Sequence, residues 1–202
     1  GPFLNTIMVS VAAATITMVL VSFFAWQVVR WPSKLTQLVN ALAFMPLSIP
    51  AVISGLAFLL VFIGTPLWGT LAILVIAFTT RYMAYCTRLM HAAQIQIHRE
   101  LEEAALTAGV GHIKTFFIIN LRLLSASFVN GWLWVLTHAS RDFATPLVLG
   151  SFGAVMAANV IFGRYTDGGL PVASAMMVAL IVFNVTVVMV GRKWLVRAVG
   201  ER

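Results

Sequence analysis

The chain has 202 residues, of which 61% are hydrophobic and 9% are charged, and its mean hydropathy is +0.98. Soluble domains are roughly half apolar and about a quarter charged, so this composition excludes an ordinary soluble domain and predicts a membrane protein. The net charge of +7 comes from basic residues at the ends of apolar runs, which is typical of membrane topology and argues against nucleic-acid binding. The single Cys86 excludes an internal disulfide.

Apolar runs divide the sequence into candidate membrane spans. A helix needs about 20 apolar residues to cross the hydrocarbon core of a bilayer. The runs cover residues 6–29, 38–63, 67–87, 123–140 and 168–191. They predict an all-α integral membrane protein with about five transmembrane helices, folded as a single domain over residues 1–202.

The second run contains Pro46, Pro50 and Gly55. A proline inside a helix removes a backbone hydrogen bond and kinks the helix. Lipid tolerates such a break only where neighbouring helices or water satisfy the freed backbone groups. This span is therefore either bent or broken near the prolines, or it begins late, with both prolines at its entrance.

The third run is interrupted by Arg81, seven residues before Arg88. Seven residues rise about 10 Å along a helix, so the Arg81 side chain can extend toward the interface at which Arg88 lies. Alternatively, Arg81 pairs with a group inside the helix bundle or in a partner subunit.

A polar segment separates the third and fourth runs. Residues 88–122 carry four basic residues, three glutamates and three histidines, so this segment must lie in water. Its first part has small or apolar residues at helical spacing, namely Leu101, Ala104, Ala105 and Ala108. Gly109 and Gly111 then weaken the helix. The segment predicts a helix with a small-residue face, a break and a second helix.

The apolar stretch 143–163 follows the fourth run and is interrupted by Gly150 and Gly153. We expect a short helical segment there that lies at the outer surface or re-enters the membrane, because the glycines break the stretch before it reaches spanning length.

Basic residues fall mainly on one side of the predicted spans. Arg141 and Arg164 lie on one side. The other side has Arg30, Lys34, Arg88, Arg99, Lys114, Arg122, Arg192, Lys193, Arg197 and Arg202. The positive-inside rule assigns this richer side to the cytoplasm, which places residues 91–122 and the C-terminus inside and Gly1 outside. An outside N-terminus predicts at least one further span upstream.

The polar segment also contains a spaced motif, E-A-A, three residues, G, nine residues and I-x-L. Its members are Glu103, Ala104, Ala105, Gly109, Ile119 and Leu121. The motif resembles the EAA loop of the permease subunits of binding-protein-dependent ABC importers, with Arg122 where a proline would follow. The proline-rich phrase 45–55 is similar to the corresponding span of ferric-iron, polyamine, thiamine and phosphonate permeases.

This resemblance implies a type I permease of the bacterial inner membrane that imports a solute. Residues 91–122 would form the cytoplasmic EAA loop, whose coupling helix docks into an ATPase. The implied partners are a cytoplasmic ABC ATPase dimer, a second permease subunit or half, an extracytoplasmic solute-binding protein and membrane lipid. The chain itself would be one permease domain or the second half of a longer permease.

Catalytic and metal-binding motifs are absent from the sequence. It has no glycine-rich nucleotide loop, no H-E-x-x-H and no G-x-S-x-G. His91, His98, His112 and His138 have no metal-ligand spacing, and a solvated cytoplasmic face accounts for the pair His91 and His98. We therefore expect no enzyme activity, cofactor or metal in this chain, with ATP hydrolysis in a partner subunit.

The far end of the fourth run carries the candidate solute path. Arg141 lies about 27 Å along a helix that begins at Leu123, which predicts a position at or just inside the outer boundary. Residues adjacent on a helix point in different directions, so Arg141 and Asp142 do not pair with each other. They are either interfacial charges without a transport role or part of a path. The candidate path residues are Pro46, Pro50, Thr137, Ser140, Arg141 and Asp142.

Two other functional classes fit a multi-span chain. A secondary transporter usually carries intramembrane carboxylates, whereas here no predicted run contains an acidic residue and Asp142 lies just beyond the end of the fourth. A non-transporting membrane assembly subunit needs no polar path. Association with an ATPase would distinguish an ABC permease from both.

Overall fold

The computed structural model describes residues 1–150 and 154–200, so that Gly153 and Arg202 lie outside it. Within these residues every regular element is helical and there is no strand. The first half contains α1 (Pro2–Arg30), α2 (Lys34–Leu42), α3 (Met45–Ser48), α4 (Ala51–Phe62) and α5 (Leu71–Ile95). The second half contains α6 (Arg99–Thr107), α7 (His112–Thr115), a π-helix (Phe116–Asn120), α8 (Leu121–Leu123), α9 (Ser125–Arg141), α10 (Ala144–Leu149), α11 (Ala157–Thr166) and α12 (Leu170–Gly200). The all-α fold class is confirmed.

Helices fill each of the predicted apolar runs. By length and composition alone, Pro2–Arg30 and Leu170–Leu195 could each cross a membrane. A third crossing is possible if His112–Leu123 and Ser125–Arg141, which meet at a 74° bend, form one span. The run 67–87 becomes α5, which also carries Arg81 and Arg88, and the second run is divided among α2, α3 and α4.

The second run is broken on both sides of α3, which confirms the interpretation of its prolines as breaks. Pro46 lies in the first turn of α3, where a missing N–H leaves no intrahelical bond unmade. Pro50 precedes α4 with an extended backbone, and its carbonyl accepts the first backbone bond of that helix from Ser54. The prolines thus end one helix and start the next.

The core forms where α1 packs against α5 and α9. On α1 the buried face consists largely of small residues such as Ala13, Ala14 and Ala25. Small side chains let membrane helices approach closely. At Gly131 of α9 a Cβ would lie 2.7 Å from the end of the Met18 side chain of α1, so a larger residue there would have to displace that side chain.

The stretch 143–163 forms two short helices rather than a crossing, as expected. α10 packs against α4, where a Cβ on Gly55 would lie 3.2 Å from Cβ of Val148. The start of α11 lies beside the N-terminal end of α1, because the Ala157 amide donates to Thr6 Oγ1 at 2.8 Å. α11 then packs against α12.

Candidate functional site

Helix α6, which carries the EAA residues, is held to the end of α1 by Glu102. The Glu102 residue is only 6% exposed. Its Oε1 lies 2.6 Å from Arg30 Nε, and its Oε2 accepts a hydrogen bond from Trp26 Nε1 at 3.3 Å. Arg30 Nη2 also donates to the backbone oxygen of Ile97, at 2.9 Å. Both carboxylate oxygens are therefore satisfied, as burial of a charge requires.

Sequence reasoning missed Glu102 because the motif begins one residue later. Adjacent residues on a helix point about 100° apart, so only one of two neighbouring glutamates can face the protein. The one indication in the sequence was Arg30, because a basic residue at the end of an apolar run can pair with a buried carboxylate. The local pattern could not determine which glutamate Arg30 selects.

Glu103 has the opposite environment. Its side chain is 57% exposed and lies 3.0 Å from Arg99, which is 71% exposed and four residues earlier on α6. Exposed ion pairs of this kind typically contribute less than about 1 kcal/mol to the stability of the folded protein. Glu103 is therefore available to another molecule at little cost.

The predicted small-residue face of α6 points away from the rest of the chain. Leu101, Ala104 and Ala108 are exposed, and Ala105 is partly buried. We call Leu101, Glu103, Ala104 and Ala108 the open face of α6. Because its side chains are short, a partner surface could approach the backbone closely there.

Gly109 ends α6 in the left-handed conformation, with φ of +82°. The Val110 amide donates to the Ala105 carbonyl and the Gly109 amide to that of Leu106, each at 3.0 Å. These two bonds form a Schellman motif, in which glycine is favoured at this position. Among the residues that the structure describes, none lies within 4 Å of a Cβ built on Gly109, so the backbone conformation accounts for the glycine.

Ile119 and Leu121 lie on either side of Asn120, the last residue of the π-helix. Both are partly buried, whereas Asn120 between them is fully buried and accepts a hydrogen bond from Gln94 of α5, at 3.5 Å. At the other end of the π-helix, Phe116 packs on Trp26, with ring centroids 5.0 Å apart. Since Trp26 also contacts Glu102, the two helices that carry the EAA motif residues are joined by one side chain of α1.

A second polar site joins α5 to the end of α9. Arg81 Nε lies 3.8 Å from Asp142 Oδ2, and the Tyr82 hydroxyl donates to the same oxygen at 3.2 Å. Asp142 Oδ1 accepts a hydrogen bond from the Thr145 amide at 3.0 Å, at the start of α10. Arg81 therefore pairs inside the bundle, and the expectation that it extends toward the interface near Arg88 is wrong.

This pair places Asp142 beside the middle of α5. Arg81 is ten residues from the start of α5 at Leu71, about 15 Å along the helix. The position of Arg141 and Asp142 near the outer boundary of the membrane stays a prediction. Ion pairs between the helices of a membrane protein usually mark a substrate or ion path.

Arg141 points away from Asp142 and contacts His138. Arg141 Nη2 lies 3.1 Å from His138 Nε2, and His138 Nδ1 lies 2.8 Å from the Trp134 backbone oxygen. The Trp134 ring stacks on both Tyr85 and His138, with centroids 4.0 Å apart in each pair. We call Arg81, Tyr82, His138, Arg141 and Asp142 the intramembrane polar cluster.

Other predicted path residues lie near this cluster or apart from it. Thr137 and Arg141 line a groove of about 470 Å³ against α12, and Arg141 also lines a groove of about 660 Å³ between α11 and α12. Ser140 is fully buried and donates to Asn184 Oδ1 at 2.8 Å. Pro46 and Pro50 line neither groove and lie at the breaks around α3. Thr137, Ser140, Arg141 and Asp142 are thus brought together, and the two prolines are not.

No group of three or more His, Cys, Asp or Glu side chains in residues 1–150 and 154–200 could hold a metal ion.

A family model described as "Binding-protein-dependent transport system inner membrane component" matches residues 18–201. The putrescine transport system permease protein PotI of Escherichia coli K12 is 30% identical over 146 residues, which cover 68% of this chain and 52% of PotI. The ferric transport system permease protein FbpB of Actinobacillus pleuropneumoniae is 24% identical over 188 residues, which cover 92% of this chain and 27% of FbpB. The chain thus spans about half the length of PotI and about a quarter of FbpB.

Two solved structures share the fold. A bacterial alginate ABC transporter in complex with its alginate-bound periplasmic protein gives a TM-score of 0.78 at 17% identity, covering 94% of this chain and 75% of that one. The inward-facing MetNI methionine ABC transporter gives a TM-score of 0.72 at 17% identity, covering 98% and 96%. At this identity the likeness concerns the fold alone.

Proposed function

The chain belongs to the family of binding-protein-dependent transport system inner membrane components, and from this premise we propose that it is the permease subunit of an ABC importer. It is a multi-pass protein of the inner membrane. In the proposed function, its helices form the path of a solute, and α6 transmits the movement of an ATPase.

The observation that carries this proposal is the contrast between the two sides of α6. On one side, Glu102 is buried and bonded to Arg30 and Trp26 of α1. On the other side, the side chains of the open face are exposed, and the rest of the described chain does not cover them. A helix that is fixed to the bundle on one side and exposed on the other can transmit a displacement from a docked partner to α1.

The proposed energy source lies outside the chain, because the sequence contains no nucleotide-binding loop. We infer a cytoplasmic ABC ATPase dimer, a second permease subunit or half, and an extracytoplasmic solute-binding protein as partners. The EAA residues that we assign to ATPase coupling are Glu103, Ala104, Ala105, Gly109, Ile119 and Leu121.

For the solute path we propose the residues around the intramembrane polar cluster. Ion pairs inside a membrane are costly and are retained where a bundle interior or a water-filled cavity holds them. The Arg81 and Asp142 pair, with Arg141 open to the grooves, meets that description. The proposed path residues are Thr137, Ser140, Arg141 and Asp142, with Pro46 and Pro50 as breaks that let α3 and α4 move.

Coupling can be tested by co-purification with the cognate ATPase and by the ATPase activity of the complex. We expect Glu103→Lys and Ala104→Trp to insert normally but to reduce both readouts, because they change the charge and the bulk of the open face. Asp167→Lys, an equal charge reversal at an exposed residue that ends α11, should leave both readouts unchanged. Full ATPase association and uptake in both α6 variants would rule out this docking surface.

Orientation is a separate part of the proposal, in which residues 91–122 lie in the cytoplasm. Arg30 and Arg99 both contact glutamates of α6, whereas Arg164 is on α11, which lies beside the opposite end of α1. This separation supports the orientation that we infer from the distribution of basic residues. We expect an impermeant maleimide to label Thr166→Cys in intact spheroplasts and Thr107→Cys only in inverted vesicles. Buried Cys86 should add little background, and the reverse pattern would invert the topology.

A further inference from the structure

The intramembrane polar cluster has more hydrogen-bond donors than acceptors. An arginine side chain has five N–H groups and no acceptor. The cluster holds two arginines, and its only carboxylate, Asp142, already accepts from Tyr82 and the Thr145 amide while facing Arg81. Arg81 Nη1 is buried and has no hydrogen-bond partner among the described residues. A buried donor without an acceptor is costly, so the cluster as a whole is short of acceptors.

The charges of the cluster are also unbalanced. Arg81 and Arg141 are cations and Asp142 is the one anion, which leaves one positive charge when His138 is neutral. None of the residues that line the 470 Å³ and 660 Å³ grooves beside Arg141 is acidic. A cation entering either groove would meet only charge of its own sign.

His138 holds the Arg141 guanidinium in place without neutralising it. The Trp134 carbonyl can only accept, so His138 Nδ1 carries the proton in that bond and His138 Nε2 accepts from Arg141 Nη2. The imidazole is therefore neutral and is fixed by its stack on Trp134. The other donors of the guanidinium remain open to the grooves.

We propose that Arg141, oriented by His138, binds an oxyanion, and that the transported solute therefore carries a carboxylate, phosphate or similar group rather than a polycation. This inference rests on the proposed permease function. A guanidinium binds such groups through two parallel charge-assisted hydrogen bonds, which are stronger than neutral ones.

A lipid headgroup offers the same phosphate chemistry as a solute, and the test distinguishes these two sources by changing the lipid.

The test uses the full chain in nanodiscs of phosphatidylcholine, with inorganic phosphate, citrate and putrescine as probes at millimolar concentration. Binding is followed by the shift in unfolding temperature and by tryptophan fluorescence, to which Trp134 contributes through its contact with His138. We expect saturable effects of phosphate or citrate and none of putrescine. Arg141→Gln should weaken the anion effect at least about tenfold, which is the loss expected for a charge-assisted bond.

Matched variants separate the site from general electrostatics. Arg164→Gln removes an exposed cation that lines neither groove, and it should leave anion binding unchanged. Arg141→Lys keeps the charge but loses the planar fork, so its affinity should fall between those of the parent and Arg141→Gln. His138→Phe keeps the ring stack and removes the acceptor, and it should weaken anion binding several-fold.

Several results would overturn the inference. These are no saturable anion effect, equal losses in Arg141→Gln and Arg164→Gln, or preferential binding of putrescine. If phosphatidylglycerol nanodiscs abolish the phosphate effect, the anion site belongs to a lipid headgroup and the solute assignment fails. Failure of ATPase association would reject the permease proposal while leaving anion binding at Arg141 measurable, so the two failures are distinguishable.

Discussion

The ion pair of Arg30 and Glu102, which we call the α6 anchor, and the intramembrane polar cluster each join two helices through an arginine and a carboxylate. They differ in how fully their polar groups are hydrogen-bonded. Arg30 and Glu102 lie 2.6 Å apart, and Trp26 and the Ile97 carbonyl complete their bonds. Arg81 and Asp142 lie 3.8 Å apart, and Arg81 Nη1 has no partner among the described residues. The first arrangement holds a helix in position, whereas the second leaves a buried donor unpaired.

The largest effect is expected at the anchor. Glu102→Ala leaves Arg30 buried without its partner, and loss of one member of a buried pair costs about 3 kcal/mol or more in the free energy of unfolding. The neighbouring substitution Glu103→Ala removes only an exposed pair and should cost less than about 1 kcal/mol. Chemical denaturation of both variants in detergent measures the difference. Equal values would mean that the buried pair is not an anchor.

A smaller effect is expected in the cluster. Asp142→Ala removes the partner of Arg81 and the acceptor of the Thr145 amide, which should lower the free energy of unfolding by about 2 kcal/mol. Asp142→Asn keeps that acceptor and should cost less. Arg141 is exposed, so Arg141→Ala should change the free energy of unfolding by no more than about 0.5 kcal/mol, although we expect solute transport to fall. Normal transport by folded Arg141→Ala and Asp142→Asn would remove the cluster from the path.

The smallest effect is expected at the end of α6. Gly109→Ala places an L residue in the left-handed conformation and should cost about 1 kcal/mol. Gly111→Ala is the matched control, because Gly111 has a φ of −66° and open space around a Cβ. Gly109→Asn should recover part of the loss, since asparagine tolerates this conformation. Thermal unfolding of the three variants tests the order, and equal stability of Gly109→Ala and Gly111→Ala would contradict it.

Much of the fold follows from local patterns in the sequence. The apolar runs become α1, α5, α9 and α12, and the prolines at 46 and 50 coincide with the breaks around α3. Gly109 ends α6 where the motif has its glycine. These features depend on residues within one or two helical turns, so composition and spacing are sufficient to predict them. The roles of the EAA residues in coupling remain predictions.

Only the tertiary structure decides which distant residues meet. Arg81 pairs with a carboxylate 61 positions away in the sequence, and that contact joins α5 to the end of α9 while Arg141 faces the grooves. Likewise, Arg30 selects Glu102 and leaves Glu103 exposed. The helical period shows that two adjacent side chains point apart, but it does not show which one faces the bundle. That choice depends on how α1 packs against the loop, and the packing is a property of the whole chain.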